Sequence, residues 1–231
     1  MSAGTQSSSA PTPPAGSPAA GLVAAYAFDE PSGTGVIDAS GNGHSGTLGA
    51  GIDRTTRGRF GGALVFNGAT TVTVPASPSL NLASGMTLEA WVFPTATPTH
   101  WTTVVVKEQF GSFAYTLYAG SPTNRPNGYF NTGTTPSTER GVAGPSALPL
   151  NVWSHLATTY DGAALRLFVN GIQVASAPFS GAIVTTTGAL RFGGNNVWGE
   201  FFRGYIDEIR IYNRALAPGE IQADMNTRIG N

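Results

Sequence analysis

Any chemistry done by this chain has to come from oxygen donors, three histidines and a few aromatic loops, because cysteine is absent. Disulfides, thiolate nucleophiles and zinc-thiolate centres are excluded with it. Two acid pairs stand as direct neighbours, Asp29-Glu30 and Asp207-Glu208. A retaining glycosidase needs two carboxyls about 5 to 5.5 Å apart over one cleft; on a strand that asks for an even spacing, whereas neighbours point to opposite faces. Neither pair meets the requirement. His44, His100 and His155 belong to no His-Glu-x-x-His pattern, and no Gly-x-Ser-x-Gly elbow occurs. Gly41-x-Gly43-x-x-Gly46 lacks the strand-to-helix junction of a phosphate loop. The expectation is a binding module and not an enzyme.

A hard cation is the first site the residues suggest. Asp207 alternates with Ile209 and Ile211, which predicts a carboxylate aimed at the interior, where a lone charge is costly. Asp29 ends the first predicted strand, and Ser40-Gly41-Asn42-Gly43-His44 offers turn carbonyls and an amide oxygen, hard donors that suit calcium. A competing reading pairs Asp207 with Arg210 or Arg214 and leaves Asp38 and Asn42 to cap a turn through their own backbone.

The second candidate site is a sugar-binding surface. Asn195-Asn196-Val197-Trp198-Gly199-Glu200-Phe201-Phe202-Arg203 packs aromatic rings, amides, a carboxylate and a guanidinium into one inter-strand segment. Sugars present apolar faces ringed by hydroxyls, so a binding cleft wants aromatic platforms beside hydrogen-bonding side chains. Thr99-His100-Trp101 has the same texture, as does the hairpin from Lys107 to Tyr118 with Glu108, Gln109, Phe110 and Tyr115. The candidate ligand-binding residues are Trp101, Lys107, Tyr115, Asn195, Trp198, Glu200 and Phe201. Packing is an equal alternative for Trp198. Trp91, Trp153, Phe168 and Tyr205 read as packing residues, Phe201 or Phe202 has plugging the sandwich as its alternative, His155 reads as a sheet histidine on the face of Trp153 and Ala157, and Arg125 and Arg140 as solvated loop charges.

Short strands must position these side chains. Period-two alternation marks Leu22 to Phe28, Thr70 to Val74, Met86 to Phe93, Thr102 to Lys107, Ala114 to Tyr118 and Gly128 to Asn131. Trp153 to Tyr160, Asp161-Gly162, Leu165 to Val169, Asn170-Gly171 and Gln173 to Ala175 form an antiparallel meander, since Asp-Gly and Asn-Gly accept the positive φ of tight turns. Tyr205 to Tyr212 is the last strand. Pro218, at a first helical position, opens one short helix expected to run from Glu220 to Ile229, with Ala217 a weak cap. Residues Met1 to Ala20 are Ser, Thr, Ala, Pro and Gly without a charged side chain, the composition of a linker, and 21–231 is expected to be one domain.

Composition agrees. The 231 residues contain 31 Gly and 16 Pro, which fits many strands joined by turns. Only 11% are charged and the formal net charge is −1, so the electrostatic footprint for nucleic acid is missing. No run approaches the roughly 20 apolar residues of a membrane span, and the N-terminus has no basic start and apolar core of a signal peptide, which fits a piece of a larger secreted protein and a cytosolic protein alike.

Three stretches together resemble the laminin G-like, concanavalin A-like family of bacterial extracellular domains. They are Leu22 to Glu30 with Asp38-Ala39-Ser40-Gly41-Asn42-Gly43, then Leu88-Glu89-Ala90-Trp91-Val92, then Gly204 to Leu216. Trp153 to Ala157 and Leu167-Phe168-Val169-Asn170-Gly171 are similar to the family's central hairpin, and the resemblance extends from Gly21 to about Arg228. It implies an all-β, two-sheet antiparallel jelly-roll sandwich with one short C-terminal helix. It also implies a structural calcium ion with Asp29, Asn42, Asp207 and the His44 carbonyl as ligands. The Glu-x-Asp-x-x-Glu signature of the family's laminarinase-like members is absent. The function expected is that of a secreted, non-catalytic carbohydrate-binding module whose partner is a polysaccharide or glycoconjugate. A protein-adhesion module is the alternative, and a glycan-cleaving enzyme with a non-standard acid pair stands behind it.

Overall fold

The computed structural model describes residues 20–230. The predicted linker therefore lies outside the described residues except for Ala20. In chain order the strands are β1 (Leu22–Tyr26), β2 (Gly35–Val36), β3 (Gly46–Leu48), β4 (Asp53–Thr55), β5 (Ala63–Asn67), β6 (Val72–Val74), β7 (Met86–Pro94) and β8 (Thr102–Gln109). They continue with β9 (Ser112–Gly120), β10 (Asn127–Asn131), β11 (Glu139–Ala143), β12 (Ser154–Tyr160), β13 (Ala164–Val169), β14 (Ile172–Pro178), β15 (Leu190–Phe192) and β16 (Arg203–Tyr212). One helix, α1 (Pro218–Met225), follows.

The strands form two antiparallel sheets. The first has the order β14-β13-β12-β7-β16-β5-β4, with β1 also on β16; the second has the order β11-β10-β9-β8-β15-β6-β3-β2. β16 serves two neighbours on one edge, Arg203 to Ile206 facing β5 and Ile209 to Tyr212 facing β1. The meander reads as expected: Asn170 and Gly171 both take positive φ at the turn between β13 and β14. Between the sheets, alternate side chains interdigitate. Tyr26 of the first sheet meets Phe192 of the second at 4.8 Å between ring centroids, and Phe130 stacks on Tyr160 at 4.0 Å.

The helix is shorter than predicted, ending at Met225 and not Ile229. It covers the outer face of the first sheet, where Ile221 packs on Ala157, Phe168, Tyr212 and Leu216. Lacking a capping side chain at Ala217, its first turn is closed by Glu220, whose Oε2 accepts the Ala217 N–H at 2.8 Å while Arg214 holds the same carboxylate. Under the helix lie Trp91, donating to the Met225 carbonyl at 3.2 Å, and His155.

One expectation about β16 is corrected here. Glu208 takes a φ of 53° and the register on β7 shifts between Asp207 and Arg210, which is a β-bulge. Ile206 and Ile209 consequently both face the interior although they are an odd number of residues apart. Asp207 is displaced to the opposite face from Ile209 and Ile211, beneath the segment from Arg57 to Gly62, where Phe60 N–H donates to its Oδ2 at 3.0 Å.

Candidate functional site

The outer face of the second sheet carries a cleft of about 700 Å³ walled mainly by aromatic side chains. Its floor follows from alternation along β9 and β10. Tyr115 and Leu117 are in the core, so Tyr118 faces out; Phe130 is in the core, so Tyr129 faces out. Phe113 should share the inward face of Tyr115, but a second bulge intervenes. Lys107 is opposite Tyr115 and Glu108 opposite Phe113, which leaves Ala114 as the extra residue. That slip turns the Phe113 ring to the side of Tyr118 and Tyr129.

Five rings then meet: Trp101 and Tyr118 at 4.8 Å, Trp101 and Tyr129 at 5.7 Å, Phe113 and Tyr129 at 6.1 Å, and Phe113 and Trp198 at 6.0 Å. Most are tilted or edge-to-face, the arrangement their quadrupoles favour. Trp198 stands on the rim, 45% exposed.

Polar anchoring is supplied by Asn195, which is fully buried. Its Nδ2 donates to Thr103 Oγ1 at 3.0 Å and to Glu200 Oε2 at 2.8 Å, and its Oδ1 accepts the Trp198 N–H at 2.8 Å. Tyr118 donates its hydroxyl to the same Glu200 oxygen at 3.2 Å. One amide thus fixes both the carboxylate and the rim tryptophan. Burial raises the Glu200 carboxyl above its usual range against the lowering effect of the Asn195 and Tyr118 bonds. Glu139 of β11 shares the lining and is raised as well, by burial first and by the Glu200 charge second.

Of the seven residues singled out in the sequence, Trp101, Trp198 and Glu200 line this cleft and Asn195 stands behind it. Three are elsewhere. Tyr115 points into the sandwich and donates its hydroxyl to the Leu80 carbonyl at 2.8 Å. Lys107 is buried with its Nζ on the Gly188 carbonyl, and burial pushes its amine down to about 8. Phe201 packs over Gly194 and lines a separate cavity of about 310 Å³. Phe113, Tyr118, Tyr129 and Glu139 complete the cleft. Tyr118 was legible as part of an aromatic hairpin, but Phe113 depends on the bulge and Tyr129 and Glu139 on the pairing of β10 with β9 and β11.

The four predicted metal ligands do not gather round one point. Asn42 donates its amide to the Leu22 and Val23 carbonyls at the start of β1, and the His44 carbonyl accepts the Tyr26 hydroxyl at 2.6 Å. Both belong to a turn organised by Asp38, whose carboxylate accepts the N–H groups of Ala25, Ser40 and His44. Asp29 lies beyond the other end of β1, accepting the Gly62 N–H at 2.7 Å and pairing with Arg228 at 2.6 Å. Asp207 faces the same Arg57 to Gly62 segment, and burial raises its carboxyl to about 8. Among the described residues no group of three or more His, Asp or Glu side chains is arranged to hold a metal.

Residues 66–222 match the profile described as the concanavalin A-like lectin/glucanases superfamily, and the chain belongs to that family. Among solved structures it is similar to domain 4 of AbnA, a GH43 extracellular arabinanase from Geobacillus stearothermophilus, seen in complex with arabinotriose. The TM-score is 0.73 at 26% identity, covering 89% of this chain and 98% of that one. The binding domain of Paraclostridial Mosquitocidal Protein 1 has the same fold, with a TM-score of 0.70 at 17% identity over 89% of this chain and 52% of that one. Pappalysin-1 of Mus musculus is 39% identical over 80 residues, 33% of this chain; the chain spans only 5% of that protein's length.

Proposed function

We propose that this chain is a non-catalytic carbohydrate-binding module of an extracellular protein, and that it takes a glycan on the outer face of its second sheet. The observation that carries this reading is the convergence of Trp101, Phe113, Tyr118, Tyr129 and Trp198 around a carboxylate that Asn195 holds in place. Rings supply flat apolar surface for sugar faces, and Glu200 supplies an acceptor for hydroxyls. The arabinotriose complex of a similar domain supports a sugar ligand. A glycan array read with the native chain and with Trp198→Ala tests it: binding that drops in the variant is expected, and silence across plant, algal and animal glycans would transfer the module to the protein-adhesion class.

Glu139 and Glu200 share one cleft, and this favours hydrolysis as the second reading. Incubation with polysaccharides and measurement of new reducing ends decides between the two; sustained release abolished in Glu200→Gln would make the chain an enzyme.

A structural calcium ion is a separate proposal, supported by the family resemblance. It would draw on the Asp29 and Asp207 carboxylates at the Arg57 to Gly62 segment, without Asn42 or His44.

A further inference from the structure

We propose that the aromatic cleft selects oligosaccharides carrying a protonated amine, that is, amino sugars with a free ammonium group, over neutral or acidic ones. The inference rests on the carbohydrate reading above and narrows its substrate class. The argument is one of charge complementarity. Asp29, Glu30, Glu108, Asp161, Glu208 and Glu220 each pair with an arginine. Glu139 and Glu200 have no such cation among the described residues, yet both are partly buried and line the same cleft. The lining contains no lysine or arginine; His100 is its one basic side chain, and its charge acts on Glu200 as the weakest of the influences there, behind burial and the Asn195 and Tyr118 bonds. Arg140, adjacent in sequence to Glu139, directs its guanidinium to the Ser137 and Glu139 carbonyls.

Two partly desolvated carboxylates of like charge repel each other, and a neutral ligand leaves that cost in place. An ammonium group relieves it. The Glu200 Oε2 oxygen is occupied by Asn195 and Tyr118, so its other oxygen is the one left for a ligand. The ring walls act in the same direction, because a cation within about 6 Å of an aromatic centroid is attracted to the ring face. A carboxylate-bearing sugar would meet two negative groups and the negative faces of the rings.

Calorimetric titration of the folded chain with three tetrasaccharides of one length and linkage tests the proposal: β-1,4-linked glucosamine, its fully N-acetylated form, and cellotetraose. The glucosamine oligomer is expected to bind about tenfold more tightly than either neutral one, which corresponds to about 1.4 kcal/mol. The ratio should shrink in Glu139→Gln and approach one in the Glu139→Gln, Glu200→Gln double variant, and high salt should shrink it in the native chain. With a formal net charge of −1 the chain as a whole has little general attraction for cations, so a preference that survives undiminished in the Glu139→Gln, Glu200→Gln double variant would overturn the assignment. Neutral tetrasaccharides binding as tightly as the amine would overturn it too and leave the carbohydrate reading standing. Binding of none of the three, nor of arabinotriose, would remove both.

Discussion

The ring of Tyr129 lies against the α-carbon of Gly141, its partner across the β10–β11 ladder: a β-carbon at Gly141 would stand 2.0 Å from a ring atom. Glycine is needed there for space, and the space lets the ring lie across β11 and join Trp101 and Phe113. Gly141→Ala should therefore move Tyr129 out of the cleft. We expect about a tenfold loss of glycan affinity by calorimetry, or about 1.4 kcal/mol, with a small change in melting temperature.

Trp198 and Asn195 should separate binding from folding. Trp198 is on the rim, so Trp198→Ala is expected to cut affinity and leave the melting temperature nearly unchanged. Asn195→Ala deprives Thr103, Glu200 and the Trp198 N–H of a shared buried partner. A stability loss of about 1–3 kcal/mol in denaturant titration should accompany its loss of binding. Equal stability of the two variants would show that the Asn195 network is not structural.

Glu89 and His155 form a buried pair beneath α1, 3.8 Å apart, too far for a hydrogen bond, and neither side chain has a partner among the described residues. Burial pushes His155 down to about 3, with Arg210 adding to the effect, and raises Glu89 well above the usual carboxylate range. Burial favours the neutral form of each group, and at 3.8 Å the contact is not a hydrogen-bonded ion pair. The unfolded chain protonates His155 near its ordinary value of about 6.5, so the stability that neutral His155 contributes is present above that pH and is lost as pH falls toward 3. Glu89 has the opposite sign: its contribution is present below the ordinary carboxylate value and declines as pH rises through its folded value. Stability measured from pH 4.5 to 7 should show His155→Leu gaining on the native chain as pH falls and Glu89→Gln gaining as pH rises. Each slope is at most about 1.4 kcal/mol per pH unit. Parallel curves would show that the two groups titrate alike in both states.

Calcium is tested by melting in excess calcium and in EDTA. A metal bound by the native state alone stabilises by mass action, about 2.7 kcal/mol at a hundredfold excess over its dissociation constant. The calcium-dependent shift should vanish in Asp207→Asn and persist in Asn42→Ala. No shift in the native chain removes the metal.

Much of the fold was legible because period-two alternation and turn glycines are local signals. Leu88, Ala90 and Val92 face the core while Glu89 and Trp91 face α1, as their spacing predicts. The site was legible only as a texture. Trp101, Trp198 and Glu200 announced themselves as aromatic and polar residues in loops, whereas Tyr115 and Lys107 carried the same texture into the interior.

The residue string by itself determined where chain segments extend, where they turn, which faces bury apolar groups, and that no thiol chemistry is present. Tertiary structure alone decided the phase of those faces at Ala114 and Glu208 and the meeting of Phe113, Tyr129 and Glu139 with residues far away in sequence. The reason is physical. An extended strand's alternation is set by its own backbone, but a bulge and a strand order are set by the partner strand, and that partner is not written in the neighbouring residues.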